Sequence, residues 1–215
     1  MIKVALVNPL NGDASKIGTE GELPVVVHPH PPIDDDYIYL PFRQYFTDNG
    51  QPDGSNDMRV VGSLANPVDF YISARADDDI FIKTIAFVIS DAQATLSRFG
   101  NIGALTNGIQ FFFESQSLGT ITINESLNTN FDFIQQCAGL PAFGSGIDAF
   151  RAQNVVGNSE AYIPTLDFGG LFGTPYGVRL KGGTQDRLVF RIQDDTSAVD
   201  RFDIVAFGGD LKITE

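Results

Sequence analysis

Apolar positions along this chain come in short runs that suit strands better than helices. Val68-Asp69-Phe70-Tyr71-Ile72-Ser73-Ala74 and the stretch at 80–90 are rich in β-branched and aromatic residues, which fit a pleated, half-buried surface. Between them Arg75-Ala76-Asp77-Asp78-Asp79 breaks the pattern, because aspartate bonds to nearby backbone and favours turns. A related plan returns near the C-terminus: Arg187-Leu188-Val189-Phe190-Arg191-Ile192, a corner at Gln193-Asp194-Asp195-Thr196, then residues 202–208. Both are predicted to be edge-to-core units of one antiparallel sandwich. Within 80–90, Ile80, Ile82, Thr84, Ala86 and Val88 alternate with Phe81, Lys83, Ile85, Phe87 and Ile89. Both sets are apolar toward the end of the run, which predicts a central strand.

The rest of the chain follows the same rhythm. Residues 37–46 are apolar and aromatic, and the polar stretch 47–57 reads as a loop. Residues 58–61 read as a strand and Asn66-Pro67 as a turn. Residues 109–114 and 119–124 predict a hairpin about 115–118, and 161–168, 178–180 and 211–213 complete the sheet. One helix is predicted over 128–138, capped by Asn128, with Phe131, Ile134 and Ala138 on one face. The total is about eight to ten strands, at the spacing of a sandwich or barrel. A helix between two groups of strands fits a jelly roll with one insertion. The predicted fold is therefore an all-β antiparallel jelly-roll sandwich over residues 37–215.

Residues 1–36 read as an extended N-terminal arm. Leu23-Pro24-Val25-Val26-Val27 is apolar but carries a proline, which belongs at strand edges. His28-Pro29-His30-Pro31-Pro32 predicts polyproline-like backbone, and Asp34-Asp35-Asp36 closes the segment. Such an arm suits either a neighbouring subunit or its own domain as a strap. Val25, Val26, Val27, Tyr37 and Tyr39 are the interface candidates, from their exposed-looking apolar run.

Composition narrows the function classes. A length of 215 residues allows a single all-β domain with a sizeable core. Eighteen phenylalanines and no tryptophan point to aromatics that fill a core or an apolar interface, since Phe has no polar handle. The net charge of −13 argues against nucleic acid, whose phosphates call for Lys and Arg, and against an anionic membrane surface. It serves solubility, or docking on a basic partner. Cys137 stands alone, so no intrachain disulfide forms and the thiol reads as inert. The N-terminal apolar run is shorter than a signal peptide's, and no stretch has the length of a membrane span.

Candidate chemistry is sparse. His28 and His30 resemble the start of a cupin metal set, but they are flanked by prolines and no third histidine exists. Asp53-Gly54-Ser55-Asn56-Asp57 opens like a calcium loop, yet Met58 and Leu64 stand where the motif needs Gly and Glu. Asp48, Asp53 and Asp57 remain a looser calcium candidate. Asp77-Asp78-Asp79 and Asp194-Asp195 offer paired carboxylates, although adjacent strand residues face opposite ways. Tyr37, Tyr39 and Tyr45 keep a sugar-stacking surface open. There is no nucleophile elbow, P-loop, zincin or dinucleotide motif. No catalytic residue, metal or cofactor is expected.

The leader Ala14-Ser15-Lys16-Ile17-Gly18-Thr19-Glu20-Gly21-Glu22-Leu23-Pro24-Val25 resembles openings common in virion structural proteins of tailed bacteriophages. The closing run from Asp186 to Asp195, with 202–209 behind it, is similar to the final strands of their jelly-roll domains. The resemblance spans about half the chain through short motifs. It implies a non-enzymatic particle component made in the host cytoplasm. The expected subtype is a capsid decoration or cement protein, which clamps the major capsid protein and is often a trimer. A neck, tail or baseplate component is the rival within that class. A carbohydrate-binding or receptor-binding module is the alternative from another class.

Overall fold

The computed structural model describes residues 6–7, 14–15, 37–92, 94–95, 97–129, 132, 150–153, 160–163, 165–168 and 177–213. Most of them are strand. In chain order these are β1 (Leu6–Val7), β2 (Ala14–Ser15), β3 (Tyr37–Tyr45), β4 (Val68–Ser73) and β5 (Asp79–Asp91). Next come β6 (Ala94–Thr95), β7 (Arg98–Phe99), β8 (Ile109–Ser115), β9 (Gly119–Leu127) and β10 (Phe150–Gln153). The last are β11 (Glu160–Ile163), β12 (Thr165–Asp167), β13 (Val178–Leu180), β14 (Arg187–Ile192) and β15 (Arg201–Ile213). The larger sheet runs β10-β11-β5-β15-β3, with β12 and β13 also paired to β5, and the smaller runs β4-β14-β8-β9. All pairings within both sheets are antiparallel. The protein is an all-β antiparallel sandwich.

The two corner units predicted from the sequence do pair with each other, in separate sheets. β4 pairs with β14 in one sheet, and β5 pairs with β15 in the other. Each aspartate corner therefore carries the chain across from one sheet to its partner. β5 is central, as its two apolar faces predict.

Its alternation is not continuous, however. Phe207 pairs with Thr84 and the next residue, Gly208, with Ile82, so Lys83 is an extra residue without a cross-strand partner. A one-residue bulge flips every later side chain to the other face. Ile80 and Ile82 face the core before it, and Ile85, Phe87 and Ile89 face the core after it. The bulge also explains why 202–207 and 211–213 are one strand. Gly208 and Gly209 do not end β15: a Cβ at Gly208 would run into the Phe81 carbonyl oxygen, so glycine lets the two backbones meet there.

One other expectation changes. Residues 58–61 carry no ladder: only Val61 forms an isolated bridge, to Asp195. Met58 is nevertheless fully buried, its N–H bonded to the Phe202 carbonyl. Of the predicted helix, Asn128, Thr129 and Asp132 are among the described residues. Asp132 N–H donates to Thr129 Oγ1 (3.2 Å) and Thr129 N–H donates to Asp132 Oδ2 (2.8 Å), a reciprocal capping pair. The rest of the predicted helix lies outside the described residues, as does Cys137. So do the arm residues other than those of β1 and β2, which pair with each other.

Phenylalanines join the sheets. Phe190 of β14 stacks on Phe111 of β8 at 4.1 Å with planes 3° apart. Phe87 of β5 and Phe46, just beyond β3, meet the same ring edge-on at 5.5 and 5.0 Å. Phe70, Phe99, Phe168 and Phe202 are buried around this group. Phe190→Ala should destabilise the fold by about 3–5 kcal/mol, read as a lower denaturant midpoint in chemical unfolding. Phe190→Leu should lose distinctly less.

Candidate functional site

The acidic residues were the first candidates for chemistry, and the structure shows what they hold. Asp194 accepts hydrogen bonds from the backbone N–H groups of Thr106 (3.3 Å), Asn107 (2.9 Å) and Gly108 (2.6 Å). Asp195, its neighbour, turns the other way and accepts from Ser197 N–H and Oγ, which lowers its pKa. The two carboxylates thus serve different loops. Asp91 is fully buried and accepts from Ala92 N–H (2.6 Å) and Asn101 N–H (2.8 Å). Asp79 accepts from Gly182 N–H (2.7 Å) and pairs with Arg179. Asp186 ties Gln116 and Lys181 backbone together across two loops.

The looser calcium candidates are engaged in the same way. Asp48 accepts from Ser55 N–H (2.9 Å), and Asp53 from Asn49 Nδ2 (3.3 Å). Asp57 takes a two-pronged bond from Arg59 at 2.7 Å on each oxygen. That bond holds the Asp57 carboxyl below its ordinary value. Among the described residues no group of three His, Cys, Asp or Glu side chains is placed to hold a metal. His28 and His30 lie outside the described residues.

The outward face of the smaller sheet is a second candidate. Arg187 and Arg191 of β14 stand on it, each paired to a carboxylate on a neighbouring strand. Arg191 holds Asp69 at 2.7 and 2.8 Å, and Arg187 holds Glu114. Each guanidinium also lies 5.0 Å from a ring centre, Arg187 over Tyr71 and Arg191 over Phe112. Between the arginines Val189 is fully buried. Tyr45, on the other sheet, has Arg43 5.2 Å from its ring centre, and its hydroxyl accepts from Arg43. Tyr45 and Tyr71 therefore each have a cation, not open solvent, against the ring that a sugar would stack on.

The sheet margins are the third. Tyr37 and Tyr39 lie on β3, the outer strand of the larger sheet, opposite Ile213 and Leu211 of β15. Pro41, on the same strand, is exposed. Val25, Val26 and Val27 lie outside the described residues. The margin at β4 is closed by the loop that follows β3: Thr47 and Tyr71 exchange backbone bonds and Ser73 N–H donates to Gly50. The margin at β9 was not singled out from the sequence. Its first four residues are exposed, and so are Leu118 and Ile121. The signal was Thr120-Ile121-Thr122-Ile123, a branched run whose alternate faces are both uncharged.

No protein-family model matches the chain, and comparison with curated proteins and with solved structures finds no match.

Two outcomes follow from the aspartate clamps. Asp194→Ala leaves three backbone donors without their acceptor and should cost about 1–3 kcal/mol of stability, measured by chemical denaturation. The lowered pKa of Asp57 stabilises the fold above the unfolded-chain value of 3.8, and that contribution disappears as pH falls through the folded value. Asp57→Asn should therefore be less stable than wild type near neutrality. The two should converge in melting temperature on acidification below that range.

Proposed function

We propose that this chain is a non-enzymatic structural protein of a tailed-phage virion, a jelly roll that decorates the capsid and bridges neighbouring major capsid protein subunits. Strand order is the observation that carries the reading. The eight principal strand positions in chain order are β3, β4, β5, β8, β9, the group β11–β13, β14 and β15. They fall first-eighth-third-sixth in the larger sheet and second-seventh-fourth-fifth in the smaller. Four of the partnerships join the positions in nested pairs: first with eighth, second with seventh, third with sixth, fourth with fifth. That is the order left by winding one long antiparallel ribbon into a sandwich, as two Greek keys do. Jelly rolls serve as viral capsid and lectin domains and as cupins.

Among these uses, the side chains favour the structural one. Asp48, Asp91, Asp186, Asp194 and Asp195 are spent on fixing loop backbone, Asp69 and Glu114 on arginines, and Tyr45 and Tyr71 stand against arginines. The chain as a whole carries a net charge of −13, suited to basic patches on a partner lattice.

The test is where the native protein resides. Fractionated on a density gradient, the chain should band with nucleic-acid-filled particles and be located by labelling on their heads. Labelling at the neck, tail or baseplate would keep the virion and discard decoration. Recovery only as free protein that is retained on a glycan array would replace the proposal with a carbohydrate-binding module.

A further inference from the structure

The smaller sheet ends differently at its two margins. At β4 the outer backbone is occupied by Thr47 and Gly50. At β9 no strand lies beyond Gly119–Ile123 among the described residues. Gly119, Thr120, Ile121 and Thr122 are exposed in succession, so this part of the strand projects with both faces in solvent. Leu118 at the hairpin tip is 70% exposed and Ile121 45%. An open strand edge presents a row of backbone donors and acceptors that another extended chain satisfies. Edges are ordinarily guarded by proline, lysine or a covering loop. β3 has its proline and β4 its loop, while β9 contains no proline, lysine or arginine.

We propose that β9 pairs with β9 of a second copy of this chain, antiparallel, about a two-fold axis at Ile121. Self-complementarity selects this occupant. With the axis at Ile121, Thr120 faces Thr122 and Gly119 faces Ile123 of the other copy. Cross-strand pairs of branched residues of this kind stabilise a sheet. Glu125, the one charged residue of β9, falls opposite Ser117. No carboxylate meets another across the strands, although each chain carries a charge of −13.

The β8–β9 ladder sets the length of the contact. It is regular from Gly119 to Thr122, and its register shifts beyond. The bulges turn the rest of the strand away, so pairing is confined to Gly119–Ile123. The product is one continuous sheet made from two smaller ones, and its new margins are the two closed β4 strands. Association therefore stops at two copies and does not propagate as a fibre. A contact this short belongs at the small end of specific interfaces, so the dimer is reversible and depends on concentration. The inference is independent of the virion reading, and it differs from the trimer that the family resemblance implies.

Sedimentation velocity over a concentration series tests it on the full chain. Wild type should pass from monomer to dimer. Ile121→Lys and Thr122→Lys should each remove the dimer at every concentration. Leu64→Lys, at an equally exposed apolar site (66%) outside this hairpin, should leave it intact. In a Cys137→Ser background, Ile121→Cys should cross-link to a covalent dimer on oxidation and Leu64→Cys should not. A wild type that is monomeric throughout or trimeric would overturn the proposal. So would a dimer that survives both lysines or fails to cross-link through position 121. If wild type is monomeric but Ile121→Lys loses its place on particles, the edge takes a strand of another protein and self-pairing is wrong. Failure of the particle experiment alone leaves the dimer result standing.

Discussion

The stacked rings of Phe190 and Phe111, met edge-on by Phe87 and Phe46, are the contact on which the sandwich depends. Four segments far apart in the chain reach that point. They belong to both sheets, so no ring can be placed before its strand is paired and its face chosen. Aromatic pairs in stacked and edge-on geometries add to the free energy of burial itself. A phenylalanine ring has no nitrogen or hydroxyl to satisfy, so these rings add no polar group of their own to the interior.

That contact puts a strict demand on β5. Phe87 and Ile89 must face inward at one end while Ile80 and Ile82 face inward at the other, and an even spacing cannot do both. Lys83 resolves the conflict as a bulge, and Gly208 on β15 admits the close approach that results. Strand existence was legible in the sequence because the branched and aromatic runs and the aspartate corners are local signals. The phase change was not, because a bulge leaves the composition of the run untouched. The continuity of 202–207 with 211–213 was hidden for the same reason: a glycine pair marks a turn or a close backbone approach, and only the opposing strand decides which. Residues 58–61 read as a strand from their branched composition, but the sheet places no ladder partner beside them.

The acidic residues were legible as turn formers and misleading as ligands. A run such as Asp194-Asp195 looks like paired carboxylates, yet each of the two meets a different set of donors. The backbone groups that Asp194 holds come from residues more than eighty positions earlier. No local pattern announces such a clamp. The arginines on β14 follow the same rule. Arg191 finds Asp69 across 122 positions, and only the pairing of the two corner units brings them together.

Whether a strand is central or marginal is likewise a property of the winding, not of its own residues. Thr120-Ile121-Thr122-Ile123 would be unremarked inside a sheet, where both faces and both edges are covered. At the margin of the smaller sheet it becomes an edge without proline, closing loop or cation. In a chain with this excess of negative charge, self-repulsion disfavours most encounters between copies. An uncharged edge in such a field is then selective: it concentrates association on the stretch where two copies meet without apposing carboxylates. The same winding that carries β4 under its closing loop leaves β9 open, and the asymmetry between those margins limits growth to a pair.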